Sequence, residues 1–165
     1  MAGRPPEEFV KINVDASFDI DSGSGGTGAI IRDHFGGFIS GGRWSVQHVD
    51  EAATAEAHGL RNGLLLAGMV GCNKIMVESD CMEVVQIMQD DGNSLGPAAA
   101  IYEECSFLCR NFARVIFKHC PREANRAAHV LAKFNEVEHV IWHDDPPICV
   151  RHVIADDVSI MPNLI

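Results

Sequence analysis

Long apolar runs are missing from this 165-residue sequence. The longest, Leu64 to Cys72, is broken by Gly68 and Gly71 and falls well short of the roughly 20 residues a helix needs to cross a bilayer. The opening, MAGRPPEEFV, lacks a charged segment followed by an apolar one, so no secretory signal is expected and a nuclear or cytoplasmic location is. No two of the six cysteines (72, 81, 105, 109, 120 and 149) form a Cys-x-x-Cys pair, which removes the usual zinc ribbon and dithiol redox motif. Reduced thiols packed as small hydrophobes are expected instead. Neither an internal repeat nor a low-complexity tract is visible. Basic residues are also scarce: 13 Lys and Arg stand against 23 Asp and Glu, a formal net charge of −10. Proteins whose main task is gripping phosphate backbones are usually basic, so this balance argues against avid nucleic-acid binding.

What is present is the composition of one ordinary globular domain, 47% hydrophobic and 22% charged. The charge is unevenly spread. Arg110, Arg114, Lys118, Arg122 and Arg126 cluster against the single acid Glu123, either as a solvated face or as a patch for phosphates. Residues 135–165 reverse the sign, with Glu136, Glu138, Asp144, Asp145, Asp156 and Asp157 against Arg151. The opposite charges suggest that this acidic extension lies over the basic stretch and weakens binding there.

Periodicity divides the chain into a leader (1–8), a body (9–134) and the extension (135–165). Phe9 to Phe18 alternates, with Val10, Ile12, Val14, Ala16 and Phe18 on one side and Lys11, Asn13, Asp15 and Ser17 on the other, the pattern of a strand. Gly23 to Gly28 reads as a turn, Ala29 to Arg32 as a returning strand, and Asp33 to Gly37 as a hairpin into a strand over Phe38–Val46. Asp50 to Met69 shifts to helical spacing, with Asp50 as its N-cap. A strand over Lys74–Ser79, helices over Cys81–Gln89 and Pro97–Asn111, a strand over Arg114–His119 and a helix over Glu123–Phe134 follow. The order β-β-β-α-β-α-α-β-α predicts an α/β domain with one mixed sheet and helices on both faces.

Two of these strands run into a carboxylate, Asp15 and Asp80. Sites gather at the carboxyl ends of strands in open α/β sheets, and the two acids converge if their strands are parallel neighbours. Glu56 is a third unusual acid, set beside the apolar stripe of its helix among alanines. A single Asp at a strand end is usually a turn or cap residue. Three converging carboxylates are different, because they repel one another unless protons or a hard cation such as Mg²⁺ or Mn²⁺ relieve them. Such a cluster suits two-metal phosphodiester hydrolysis, and spacing alone leaves the turn-residue and metal-site readings open.

Four ordered blocks carry a resemblance. They are Asn13-Val14-Asp15-Ala16-Ser17 with Gly28-Ala29-Ile30-Ile31-Arg32-Asp33; Ala55-Glu56-Ala57-His58-Gly59-Leu60; Val77-Glu78-Ser79-Asp80; and the run from His119-Cys120-Pro121-Arg122-Glu123-Ala124-Asn125 to Ala128-His129-Val130-Leu131-Ala132-Lys133. Together they resemble the ribonuclease H-like domain common in plants and retroelements, well over residues 10–134 and loosely beyond. The resemblance implies a five-stranded mixed sheet, Mg²⁺ or Mn²⁺, and hydrolysis of the RNA strand of RNA/DNA hybrids. It implies metal-binding roles for Asp15, Glu56 and Asp80, proton transfer or product release for His119, and nucleic-acid contacts for Ser17 and Asn125, while Arg122 and Arg126 of the basic stretch are expected to hold phosphates. One departure stands out: the family's fourth acid falls at His129. Imidazole ligates Mn²⁺ readily and Mg²⁺ poorly, and it removes a negative charge. Asn125 and His129 are four apart and share a helix face, so His129 is expected to point at the cluster as a substitute ligand.

Three readings of function follow. The first is a metal-dependent endonuclease acting on RNA/DNA hybrids, impaired or re-tuned by His129. The second is a non-catalytic descendant that binds nucleic acid or a protein partner, favoured by the net charge and by His129. The third, a 3′–5′ exonuclease of related fold, fits the block order poorly.

Overall fold

The computed structural model describes residues 5–6, 8–134 and 138–160, with side chains as far as Asp156. Nine elements match the expected order: β1 (Val10–Asp19), β2 (Ser24–Arg32), β3 (Phe38–Val46), α1 (Ala52–Val70), β4 (Lys74–Ser79), α2 (Met82–Gln89), α3 (Ala99–Cys109), β5 (Arg114–His119) and α4 (Arg126–Ala132). A short 3-10 turn, Arg122–Asn125, precedes α4, and β6 (His139–His143) and α5 (Ile148–Ile160) follow it. The sheet runs β5-β4-β1-β2-β3-β6. β1 is parallel to β4, as β4 is to β5, whereas the β1–β2, β2–β3 and β3–β6 pairs are antiparallel. Parallel neighbours need crossovers, and α1 and the α2–α3 pair supply them.

Alternation along β2 shows how both faces are covered. Ala29 and Ile31 join the larger core with Ile12, Val14, Leu60 and Leu64 beneath α1, while Ile30, between them, joins Ala128, Leu131, Val150 and Val153 beneath α4 and α5. Strand β1 is therefore covered on both sides, and its polar row is not a solvent face: Lys11, Asn13 and Asp15 are all buried. A strand covered on one face only would leave that row wet.

Four expectations are corrected. The sheet has six strands, not five, because β6 pairs with the β3 edge from Ser40–His143 to Trp44–His139 and the Ser40 hydroxyl donates to the Trp142 carbonyl at 2.9 Å. The acidic extension thus closes one edge of the sheet while α5 packs on α4. β5, which carries Arg114 and Lys118, lies at the opposite edge, so the described part of the extension does not lie over that strand. The glycine-rich segment is mostly strand rather than turn: only Gly23 has a left-handed φ (67°), and β2 begins at Ser24. The reason is steric. A Cβ on Gly28 would come 2.2 Å from the Ala128 carbonyl, and one on Gly26 would come 2.3 Å from the Ala132 carbonyl, so these glycines let α4 lie directly on the sheet. Finally, α1 begins at Ala52 with Glu51 at its N-cap and no side-chain cap hydrogen bond, so Asp50 does not fill that role.

The leader is partly anchored: Pro5 is buried and Glu8 pairs with Lys74 at 2.9 Å. Residues 1–4 and 7 lie outside the described residues, as do 135–137 and 161–165. No described helix is long and apolar enough to cross a membrane. All six cysteines are free thiols, with Cys105 and Cys120 buried as expected.

Candidate metal centre

The backbone pairing of β1 with β4 ends at Asn13–Glu78, while β1 continues along β2 as far as Asp19. Past that point the parallel strands part, and Asp15 and Asp80 flank the opening between them. Helix α1 brings Glu56 to the same place. Its approach depends on Gly59, where a Cβ would already stand 3.1 Å from the Asp15 carbonyl. Ligand atoms of Asp15, Glu56 and Asp80 lie within 4.8 Å of one another. Asp15 is buried, and Glu56 and Asp80 are partly so.

Burial and mutual repulsion govern the charges here. Desolvation first, then the neighbouring carboxylates of Asp15 and Asp80, push Glu56 up from its ordinary 4.5 to about 9. Asp15 rises from 3.8 to about 6, again chiefly by desolvation and then by Asp80, against the lowering effect of a hydrogen bond from His129. At neutral pH the trio therefore retains a proton in the absence of a cation. Three convergent carboxylates that keep a proton among them are a donor set that a hard divalent cation satisfies. The residues present fit such an ion.

A prediction about stability arises from the same shifts. The folded state keeps a proton on Glu56 that the unfolded chain releases near pH 4.5, so Glu56 contributes stability below that pH and loses it as pH rises toward about 9. In chelator, Glu56→Gln should flatten this decline and melt about 3–6 °C above the parent at pH 8, given ~1–2 kcal/mol for removing the cost of holding that proton on the folded chain. Thermal unfolding at a series of pH values checks this; parallel curves for the two proteins would contradict it.

His129 reaches the site, but not as a member of the carboxylate set. Its Nδ1 lies 2.8 Å from Asp15 Oδ2, so the imidazole is engaged with one acid rather than facing all three. Its ring remains 41% exposed, so the second nitrogen has access to solvent. His119 ends β5 beside the same opening, with Nε2 3.2 Å from the Asp80 carbonyl and the ring exposed. Arg122 extends into solvent with Nε 3.9 Å from Asp80 Oδ2, and Arg126 is exposed beyond it. Ser17 is half-buried two residues past Asp15 on the same row of β1.

Asn125 is placed differently from its expected role. It is 1% exposed, donates from Nδ2 to the Val14 carbonyl at 2.9 Å and accepts at Oδ1 from Asn13 at 3.1 Å. Its side chain is spent on β1 and presents no free group to a substrate. The tether also explains why the expected helix over 123–134 is divided: Asn125 has φ −111° and ψ 16°, and α4 starts after it. Lys11, Asn13 and Glu78 complete a polar cluster that sequence reasoning assigned to no role. Lys11 Nζ lies 3.2 Å from Glu78 Oε2, and the Asn13 amide donates to the same oxygen at 3.2 Å. Their signal was in the strand order, since polar residues on a strand covered on both sides must find partners with one another.

Comparison with known proteins agrees with this fold. A family model described as reverse transcriptase-like matches residues 13–135. The fold is similar to that of ribonuclease H1 from the halophilic archaeon Halobacterium salinarum NRC-1, with a TM-score of 0.69 and 21% identity over 75% of this chain and 94% of that one. It is similar as well to the N-terminal ribonuclease H domain of Rv2228c from Mycobacterium tuberculosis, with a TM-score of 0.69 and 25% identity over 75% and 90% of the two chains. A third likeness is to LC11 ribonuclease H1, isolated from compost and solved in complex with an RNA/DNA hybrid, with a TM-score of 0.67 and 21% identity over 78% and 96%. No curated protein matches the chain. The α/β architecture is that of ribonuclease H structures, with a mixed sheet and helices on both faces.

Proposed function

This chain belongs to the reverse transcriptase-like family of ribonuclease H-like domains, and on that premise we propose that it is a divalent-metal-dependent endonuclease that hydrolyses the RNA strand of RNA/DNA hybrids. The observation that carries the reading is the convergence of Asp15, Glu56 and Asp80 within 4.8 Å at the open end of the parallel strands. A scaffold has no use for three carboxylates that must hold a proton to coexist. Asp15, Glu56 and Asp80 would hold Mg²⁺ or Mn²⁺, which when bound supplies a nucleophilic hydroxide and charge stabilisation at the scissile phosphate.

The chain's own residues would do the rest. Asp15 is the central acid, and His129 orients its carboxylate through the 2.8 Å contact while adding no negative charge. His119, exposed at the rim, is the group placed to take or give a proton at the leaving oxygen. Arg122 beside Asp80, with Arg126 and Lys118 nearby in the chain, supplies positive charge for phosphates next to the scissile one. Ser17 would offer its hydroxyl to the same backbone. Recognition would rest on backbone, 2′-OH and groove shape rather than on base identity.

The test is a hybrid with each strand labelled separately, in Mg²⁺ and in Mn²⁺. Shortening of the RNA strand with the DNA strand intact is expected, more readily in Mn²⁺, and a circular hybrid should also be opened. Cleavage of both strands, or digestion only from ends, would contradict the reading. A second reading, a binding module of the same fold, is favoured by His129 at the fourth acid position and by the net charge of −10. It predicts hybrid binding with no cleavage in either metal.

A further inference from the structure

Beneath the three acids lies the polar cluster that the proposed chemistry does not use. Asn13 occupies the position two residues before Asp15 on the same row of β1, and Glu78 stands two before Asp80 on the β4 side. One Asn13 Nδ2 hydrogen goes to Glu78 Oε2 and the other to Asn125 Oδ1, while Arg32 Nη2 donates to Asn13 Oδ1 at 3.4 Å. Asn125 Nδ2 in turn donates to Val14 O, the carbonyl of the peptide that leads into Asp15. Lys11 balances the Glu78 charge at 3.2 Å. Asn13, Asn125, Lys11, Arg32 and Glu78 are each no more than 4% exposed. A cluster so deeply buried is costly unless its members are paired, and it therefore has one preferred arrangement.

Asn125 is also the N-cap position of α4, and His129 sits one helical turn further on. Helix α4 thus touches β1 through two polar contacts a turn apart: Asn125 at Asn13 and Val14, and His129 at Asp15. The helix is seven residues long and lies over glycines, so few side chains fix its rotation and its slide along β2. The amide contact supplies a specific register that apolar packing of Ala127, Ala128 and Leu131 does not.

We propose that the Asn13–Asn125 amide pair, held in orientation by Glu78, is a positioning device that seats the start of α4 on β1 so that His129 meets Asp15. Asn125 acts through His129, and it is a positioning residue rather than a substrate contact. The contact between His129 and Asp15 is metal-independent; its consequence for metal affinity rests on the proposed function above.

Two measurements test the proposal. In metal-free protein labelled with ¹⁵N-histidine, the Asp15 carboxylate accepts a hydrogen bond from Nδ1–H, so neutral His129 should appear as the Nδ1–H tautomer. Asn125→Ala should lose that signature and show averaged tautomers. Asn13→Ser, which leaves Asn125 its bond to Val14 and keeps the helix tethered at one point, should lose it in part and provides a folded protein if Asn125→Ala does not fold. A role confined to stability would lower Tm and leave the tautomer unchanged. The second measurement is Mn²⁺ affinity in a double-mutant cycle. Asn125→Ala and His129→Ala should each weaken binding about tenfold, and the double variant should also be about tenfold weaker rather than ~100-fold, because one residue acts through the other. An intact Nδ1–H tautomer in the folded variants, or multiplicative losses, would overturn the proposal. Parent protein that bound no Mn²⁺ would instead count against the proposed function, and the tautomer would still decide the positioning role.

Discussion

Replacing Asp15 by Asn is expected to reduce hybrid cleavage by about 10³-fold or more while leaving the fold intact. Metal-centred stabilisation at a scissile phosphate is worth several kcal/mol, and each 1.36 kcal/mol is tenfold in rate. Asp15 has the greatest share of it, being the buried member of the trio and the one held by His129. The amide keeps the shape of the side chain and removes the charge. Because Asp15 is held above its ordinary range by burial and by Asp80, the metal-free variant should be no less stable than the parent above about pH 6. Single-turnover cleavage in Mn²⁺, with melting in chelator on the same preparation, measures both effects. A variant that still cleaved within tenfold of the parent would remove Asp15 from the chemistry. One that lost both activity and fold would show a structural acid.

The second large effect is expected from His129→Asp, in the opposite direction. The imidazole contributes a nitrogen and no negative charge beside Asp15, whereas a carboxylate there would add a fourth oxygen donor of the kind hard cations prefer. Mg²⁺-supported cleavage should rise about 10–100-fold, the range over which partners of metal ligands tune affinity or activity. The increase in Mn²⁺ should be smaller, since Mn²⁺ tolerates imidazole. Without metal, the change replaces a hydrogen-bond donor to Asp15 with another acid, so the variant should be less stable than the parent at pH 8 and should gain more from added Mg²⁺. Initial rates across Mg²⁺ concentrations decide the matter. An unchanged or lower Mg²⁺ rate would mean that His129 is a functional part of this site and not a defect in it.

Much of this arrangement was legible from residues alone, for reasons that differ by element. Strands β4 and β5 have the bounds their short β-branched runs imply, because each is flanked by turns or polar residues that leave little choice. The convergence of Asp15, Glu56 and Asp80 followed from two strands ending in acids and one acid facing inward from a helix, a combination that needs only parallel pairing to close. The failures all depend on what covers an element. Gly26 and Gly28 looked like turn residues because nothing in the chain announces that α4 will lie on them. His139–His143 looked like tail because an edge strand takes its pairing from a partner nearly a hundred residues away. Asn125 and His129 were expected to share a helix face, but α4 starts after Asn125 and only His129 is open to solvent. The 3-10 turn drops Asn125 into the sheet while His129 stands at the rim. Lys11, Asn13 and Glu78 were read past for the same reason, since alternation separates two faces of a strand and does not say whether the polar one is wet.

The claim on which the rest depends is that the acidic trio is a divalent-cation site, and the most direct measurement is metal-linked stability. Melting the parent protein at pH 7.5 with increasing Mn²⁺ should raise Tm by about 5–10 °C at saturating ion, corresponding to ~2.7 kcal/mol at a hundredfold excess over Kd. The rise should be absent in Asp15→Asn. A parent Tm that did not move with Mn²⁺, or a shift that survived loss of Asp15, would contradict the account.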